Sequence, residues 1–187
     1  FPPIELGERM SSDFENCIAS PALKLVAAHW LAARRGREMP AWADLMPTAI
    51  KAQLPIVWSY TYDPGSDLFT GRLAGERSAT LFGNNFRGLP MSEAYPKASY
   101  PNLFAKCKKV VTEPAIYHGI GMTFFVAGSS VPGERIIMPL SNDGINGDGV
   151  FGATVIPSIA RDAIPELDFR QEIDRWFSPS GGAVSGL

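Results

Sequence analysis

The hydrophobic period of the chain changes at Pro55, and the residues after it leave little room for anything but a β-hairpin. Residues 55–62, PIVWSYTY, are rich in β-branched and aromatic residues, the composition that suits a pleated, half-buried strand. Asp63-Pro64-Gly65-Ser66 comes next, and each residue type there favours a turn: Pro presets φ, Gly accepts positive φ, and Asp and Ser bond their own backbone. A second strand is predicted at residues 67–74. Alternation puts Trp58, Tyr60 and Tyr62 on one face of the first strand and Val57, Ser59 and Thr61 on the other. On the second strand Leu68, Thr70 and Arg72 alternate with Phe69, Gly71 and Leu73. An arginine among apolar neighbours is either a solvent-facing sheet residue or a buried fork donor in need of a carboxylate or ligand. Residues 75–82 are predicted as a helix too short to stand without tertiary packing. Gly83 stops it, and Asn84-Asn85-Phe86-Arg87-Gly88 forms a polar turn.

The flanks supply helices first and strands later. Residues 1–20 read as an irregular lead-in, with a short turn of helix at 13–19. Ser20 before Pro21 is an N-cap with proline in the first helical position. Leu23, Val26, Ala27, Trp30 and Leu31 then recur at helical spacing until Gly36. That stripe suits packing on the chain's own sheet or a contact in a homodimer. Pro40, Pro47 and Pro55 confine any further helix to about residues 47–53. After a connection at 89–101 with three prolines, Asn102–Thr112 is predicted as a helix with Leu103, Cys107, Val110 and Val111 apolar. Strands are predicted at 115–127, 134–140 and 150–156, separated by turns at 128–133 and 142–149. The order strand, strand, helices, strand, strand, strand implies an α+β fold: a five-stranded antiparallel sheet with short helices on one face. The domain is expected to span residues 21–160. A C-terminal helix is predicted at 161–177, with Phe169, Ile173, Trp176 and Phe177 as its apolar side, and a disordered tail at 178–187.

The stretch Asp67–Gly88, DLFTGRLAGERSATLFGNNFRG, runs from strand through Gly75 to a helix ending in Phe-Gly. It resembles the first half of a PAS sensor domain, and most closely the single-domain PAS-like proteins common in alphaproteobacteria, where a segment like RLAG leads a helix ending in FG. Residues 29–40, HWLAARRGREMP, look like that family's opening helix and exit. The likeness extends over roughly residues 20–160. It implies a PAS-like fold and a non-enzymatic module of signal transduction that binds a small molecule, a protein partner, or both, with its output read by another chain. Asn84–Gly88 stands where light-sensing PAS domains hold flavin, but Phe86 occupies the place of their reactive cysteine. Helix 102–113 contains no histidine to serve as a haem ligand. Neither cofactor therefore has a signature, and the ligand's identity is open.

The residues themselves narrow the chemistry. At 187 residues, 45% hydrophobic and 19% charged, the chain suits one soluble domain. A net charge of -2 gives no basic face for nucleic acid. Arg34, Arg35 and Arg37 sit at a helix C-terminus, where cations complement the dipole. Cys17 and Cys107 lie too far apart in sequence to suggest a disulfide framework, which suits a cytoplasmic protein. No apolar run of about 18 residues is available to span a membrane. The sequence opens on Phe1 rather than Met, as a trimmed or processed chain would. His29 and His118 are the only histidines. Gly128–Gly133 fails the nucleophile-elbow spacing, Gly119-Ile120-Gly121 lacks the third glycine of a dinucleotide loop, and Asp143–Gly149 reads as a turn rather than a calcium loop. A ligand is expected between helix 75–82 and the inner sheet face, with Tyr60, Arg72, Tyr117, His118, Met122 and Met138 as the nominated contacts; each is otherwise core filler. Two other readings stay open: an enzyme using Arg72, Tyr60 and His118, and a dimerisation scaffold with a packed interior. The partners expected are a small molecule, a signalling protein and a second copy docked through the opening helix.

Overall fold

The computed structural model describes residues 12–81, 85–126, 129–156 and 172–184. α1 (Asp13–Cys17) opens with a reciprocal cap, Ser12 and Glu15 each accepting the other's backbone N–H. α2 (Pro21–Ala33) starts as its sequence predicts, with Ser20 Oγ accepting from Leu23 N. A 3-10 helix at Pro47–Ile56, kinked at Ile50, leads into β1 (Val57–Asp63) and β2 (Leu68–Ala74). α3 (Glu76–Leu81), α4 (Met91–Ala94) and α5 (Tyr100–Thr112) follow. β3 (Ile116–Val126), β4 (Ser129–Leu140), β5 (Gly149–Val155) and β6 (Ile173–Phe177) complete the chain. Phe82, the last residue of the predicted helix 75–82, its stop Gly83, and Asn84 at the start of the predicted turn lie outside the described residues.

The strands form one antiparallel sheet in the order β2-β1-β5-β4-β3-β6. Six strands replace the expected five. The sixth comes from the segment expected to be a C-terminal helix: its described part, residues 173–177, pairs with β3 instead, while residues 161–171 lie outside the described residues. The reason is the unpaired edge of β3, where an aromatic run fits better than a solvent-facing helix would. Trp176 packs on Tyr117 with ring centroids 5.1 Å apart, and Phe177 on Phe14 at 5.5 Å. Nor are residues 178–184 a disordered tail. Ser178 N–H donates to Gly182 O at 2.9 Å, Phe14 N–H donates to Gly181 O at 3.0 Å, and Ala183 bridges Phe177; residues 185–187 lie outside the described residues. β4 also begins earlier than expected, at Ser129 opposite Val126, so most of the turn predicted at 128–133 is strand.

Both sheet faces are covered. Toward α1 and α2 the sheet presents Val57, Ile116, Ile136, Met138, Phe151 and Ala153, which pack with the predicted stripe Leu23, Val26, Ala27, Trp30 and Leu31. Trp30 Nε1 donates to Pro139 O at 3.0 Å, fixing the far end of α2. The opposite face, with Trp58, Tyr60, Phe69, Tyr117, Ile137 and Val150, is closed by Phe86, by Met91 and Ala94 of α4, and by Leu103, Cys107, Val110 and Val111 of α5.

Candidate functional site

On the α4/α5 face, missing side chains make room for large ones. Gly152 stands opposite Trp58 across β1 and β5. A Cβ on Gly152 would lie 2.3 Å from the indole, so the ring rests directly on that backbone. Trp58 Nε1 donates to Thr154 Oγ1 at 3.0 Å, and Arg135 Nε donates to the same oxygen at 3.1 Å from the facing position on β4. The Arg135 guanidinium lies 5.7 Å from the Trp58 ring centre, within range of cation–π attraction. Tyr60 meets Trp58 edge-on at 6.1 Å and stacks on Phe86 at 5.0 Å with the rings 8° apart. Tyr95 closes this aromatic group, 6.3 Å from Phe86 and 6.4 Å from Tyr60.

Phe86 reaches that position because the chain crosses β2 at a glycine. A Cβ on Gly71 would lie 2.0 Å from Phe86 O, and the crossing is held by Gly71 N–H to Leu89 O at 2.9 Å and Gly88 N–H to Gly71 O at 2.7 Å. Gly88 itself has φ +81°, the left-handed conformation that glycine adopts without strain.

Burial governs the electrostatics of this face. It pushes the phenols of Tyr60 and Tyr95 well above their ordinary value, with Tyr95 adding to the shift at Tyr60. It pushes the Cys107 thiol up to about 12 and lowers the Arg135 guanidinium, the neighbouring phenols and thiol working against that last shift. Phenols and thiol are therefore neutral at physiological pH. Thr154, the phenols and the guanidinium form a set of donors and acceptors inside an aromatic wall, an arrangement that can orient a small molecule.

At the β6 edge of the same face, Tyr117 Oη donates to Asp174 Oδ1 at 2.6 Å and accepts from Lys106 Nζ at 2.8 Å. Its phenol lies over Gly119, where a Cβ would meet Oη at 2.0 Å. Burial and then Asp174 raise the Tyr117 phenol above its ordinary value.

The α2 face carries a different polar group. His118 and Glu134 are both fully buried, with His118 Nε2 2.8 Å from Glu134 Oε1. Ala19 N–H donates to Oε1 and Ser20 N–H to Oε2, each at 2.8 Å.

The six nominated residues thus divide between the faces. Tyr60 and Tyr117 belong to the α4/α5 face. Met138 is in the α2-side core, His118 is paired with Glu134, and Arg72 stacks on Trp42 at 4.4 Å. The Met122 side chain lies outside the described residues. Arg72 turns away from Tyr60 because Tyr60 faces Gly71 and successive residues of a strand point to opposite faces; beyond that pair the register slips, Ser59 facing Leu73, so Arg72 is the extra residue of a bulge. A bulge of this kind interrupts the strict alternation of faces. Trp58, Tyr95, Arg135 and Thr154 belong to the site without being among the nominated six. Arg135 carries the signal that singles out Arg72, a guanidinium on a predicted strand of largely apolar residues, and the same search extended to residues 134–140 finds it.

Among the described residues no group of three or more His, Cys, Asp or Glu side chains could hold a metal ion, and no helix is long and apolar enough to cross a membrane. Cys17 and Cys107 are free thiols. Asp143 spends its carboxylate on its own turn, accepting from Ile145 N, Asn146 N, Asn146 Nδ2 and Ser141 Oγ. A family model described as a PAS domain matches residues 18–155. No curated protein and no solved structure matches the chain.

Proposed function

The chain belongs to the PAS domain family, and on that premise we propose that it is a non-enzymatic sensory module of the cytoplasm, which takes a small molecule against the α4/α5 face and passes the change to a protein partner. The observation that carries this reading is the shared oxygen of Thr154, which accepts from both Trp58 Nε1 and Arg135 Nε within an aromatic wall. Burying polar groups costs free energy unless they are paired. A core selected only for packing would place apolar side chains at 135 and 154, whereas a site that must orient a ligand needs a few fixed polar groups in an apolar wall. Tyr60, nominated from the sequence, sits against this set, and Tyr117 lines the same face at its β6 edge. A signal can be no larger than the ligand's differential affinity for two arrangements of the domain.

The test is mass spectrometry of what the freshly purified protein releases on denaturation, in wild type and in Arg135→Met and Thr154→Val. A bound small molecule in wild type that both variants lose while keeping their fold is the expected result. An empty extract, together with no ligand-dependent rise in melting temperature against a metabolite library, overturns it in favour of a packed scaffold. The full burial of Tyr60 and Phe86 is the observation on that side. The homodimer expected through the opening helix has only the outward face of α2 to use, where Leu25 is 54% exposed, because the predicted stripe is spent on the chain's own sheet.

A further inference from the structure

Glu134 is an unusual way to hold a helix. Its carboxylate is completely buried, and it receives three groups: the backbone N–H of Ala19, the backbone N–H of Ser20, and Nε2 of His118. Ser20 is the N-cap of α2, so the acceptor stands at the positive end of the helix dipole, where a carboxylate is favoured. The contact joins residues 115 positions apart and draws the link between α1 and α2 onto β4. His118 is engaged through one nitrogen only; its Nδ1 is buried and has no hydrogen-bond partner.

Purely as a staple, this pair is a poor choice. Two apolar side chains of similar volume hold a buried interface at least as well, because the desolvation of the charge offsets much of its attraction. A buried carboxylate offers a different property. It fixes one docked geometry, and once its donors leave it is an uncompensated buried charge, so partial opening is penalised and the contact is made or broken as a unit. The rest of α2 is secured independently by Val26, Ala27, Leu31 and the Trp30 bond to Pro139. Phe14 also holds α1, packing on Phe177 at 5.5 Å and donating its N–H to Gly181 O at 3.0 Å, so α1 and the first turn of α2 depend on Glu134 together with that contact.

We propose that the His118–Glu134 pair is a conformational latch for residues 12–23, which dock on the sheet when the pair engages Ala19 and Ser20 and open locally, about an anchor at Trp30, when it does not. His118 is the next residue in β3 after Tyr117, whose side chain belongs to the α4/α5 face. The latch therefore sits on the strand that also lines the proposed ligand site. It does not require that site to be occupied, and its test needs no ligand.

The experiment is amide hydrogen exchange by NMR on the full chain, wild type against Glu134→Gln and His118→Phe. Gln keeps the shape but places an N–H₂ among donors, and Phe removes the third donor while leaving both backbone bonds. Local opening predicts exchange at least tenfold faster across residues 12–23 in Glu134→Gln, a smaller increase in His118→Phe, and sheet amides of β1, β4 and β5 within twofold of wild type. Acceleration spread equally over helix and sheet makes the pair a plain stabilising contact and overturns the proposal, as does no acceleration at Ala19 and Ser20. If Glu134→Gln does not fold, His118→Phe alone decides on the same two criteria, since it leaves the carboxylate and both backbone bonds in place.

Discussion

Gly152→Ala tests the arrangement on which the α4/α5 face is built. The added methyl would lie 2.3 Å from Cζ2 and 2.5 Å from Cε2 and Cη2 of Trp58. That indole is fully buried and is tied through Nε1 to Thr154 at 3.0 Å, so it cannot turn aside without breaking the bond. Gly152 does not have a positive φ, so alanine meets no backbone penalty and gains about 0.4–1 kcal/mol by restricting the unfolded chain. Against that stand roughly 1–3 kcal/mol for overpacking a filled core and about 1 kcal/mol for a displaced buried hydrogen bond. The net loss is about 2 kcal/mol, which for a domain of this size lowers Tm by about 4–8 °C. Urea unfolding should show a lower midpoint with an unchanged slope, the mark of a change in stability alone. In a Trp58→Phe background the six-membered ring of the indole is gone, and the same substitution should cost less than about 0.5 kcal/mol, a coupling that a double-mutant cycle reads directly. The reasoning is refuted if Gly152→Ala lies within about 0.5 kcal/mol of wild type, or if its cost is the same in both backgrounds.

Burial holds the Cys17 thiol up at about 11, with Arg175 opposing and Glu134 adding to the shift. At pH 8 its thiolate is then about a hundredfold rarer than that of an ordinary thiol, and native protein should be alkylated by iodoacetamide correspondingly more slowly than denatured protein; equal rates would discard the burial argument. The same shift fixes a sign against pH. The unfolded chain releases this proton first, so the contribution of Cys17 to stability is intact below about pH 9 and is lost as pH rises from there toward about 11. Cys17→Ala should flatten urea midpoints across that window, and an unchanged slope would count against it. Removing residues 1–36 should give an unfolded chain by circular dichroism, because the α2 stripe is core; a folded truncated protein of lower oligomeric order would restore the stripe as a dimer contact.

The features legible in the sequence are local ones. The Ser20-Pro21 start of α2, the Asp63–Ser66 turn, and the shared face of Trp58, Tyr60 and Tyr62 each depend on neighbours within a few positions, and each is found where expected. The sixth strand is not legible, because Ile173, Trp176 and Phe177 satisfy helical spacing as well as a short strand does. Only the open edge of β3, which tertiary structure supplies, decides between the two.

The candidate site is harder to read for a related reason. When both faces of a sheet are covered, alternation of apolar and polar residues no longer marks an inside and an outside. In β4 the residues facing α2 include Ile136 and Met138, and those facing α5 include Ile137, so apolar character says nothing about side. The polar residues could mark the faces, but their partners come from elsewhere. Arg135 is assigned by Thr154 on the neighbouring strand, and Glu134 by Ala19 and Ser20 across more than a hundred positions of chain. Arg72 falls on the face away from Tyr60 because Tyr60 pairs with Gly71, and that pairing across the hairpin decides which of the two β2 residues meets it. Residue type therefore nominates the right kinds of groups, while register decides which of them meet. Register in this sheet is set by contacts that only the folded chain makes.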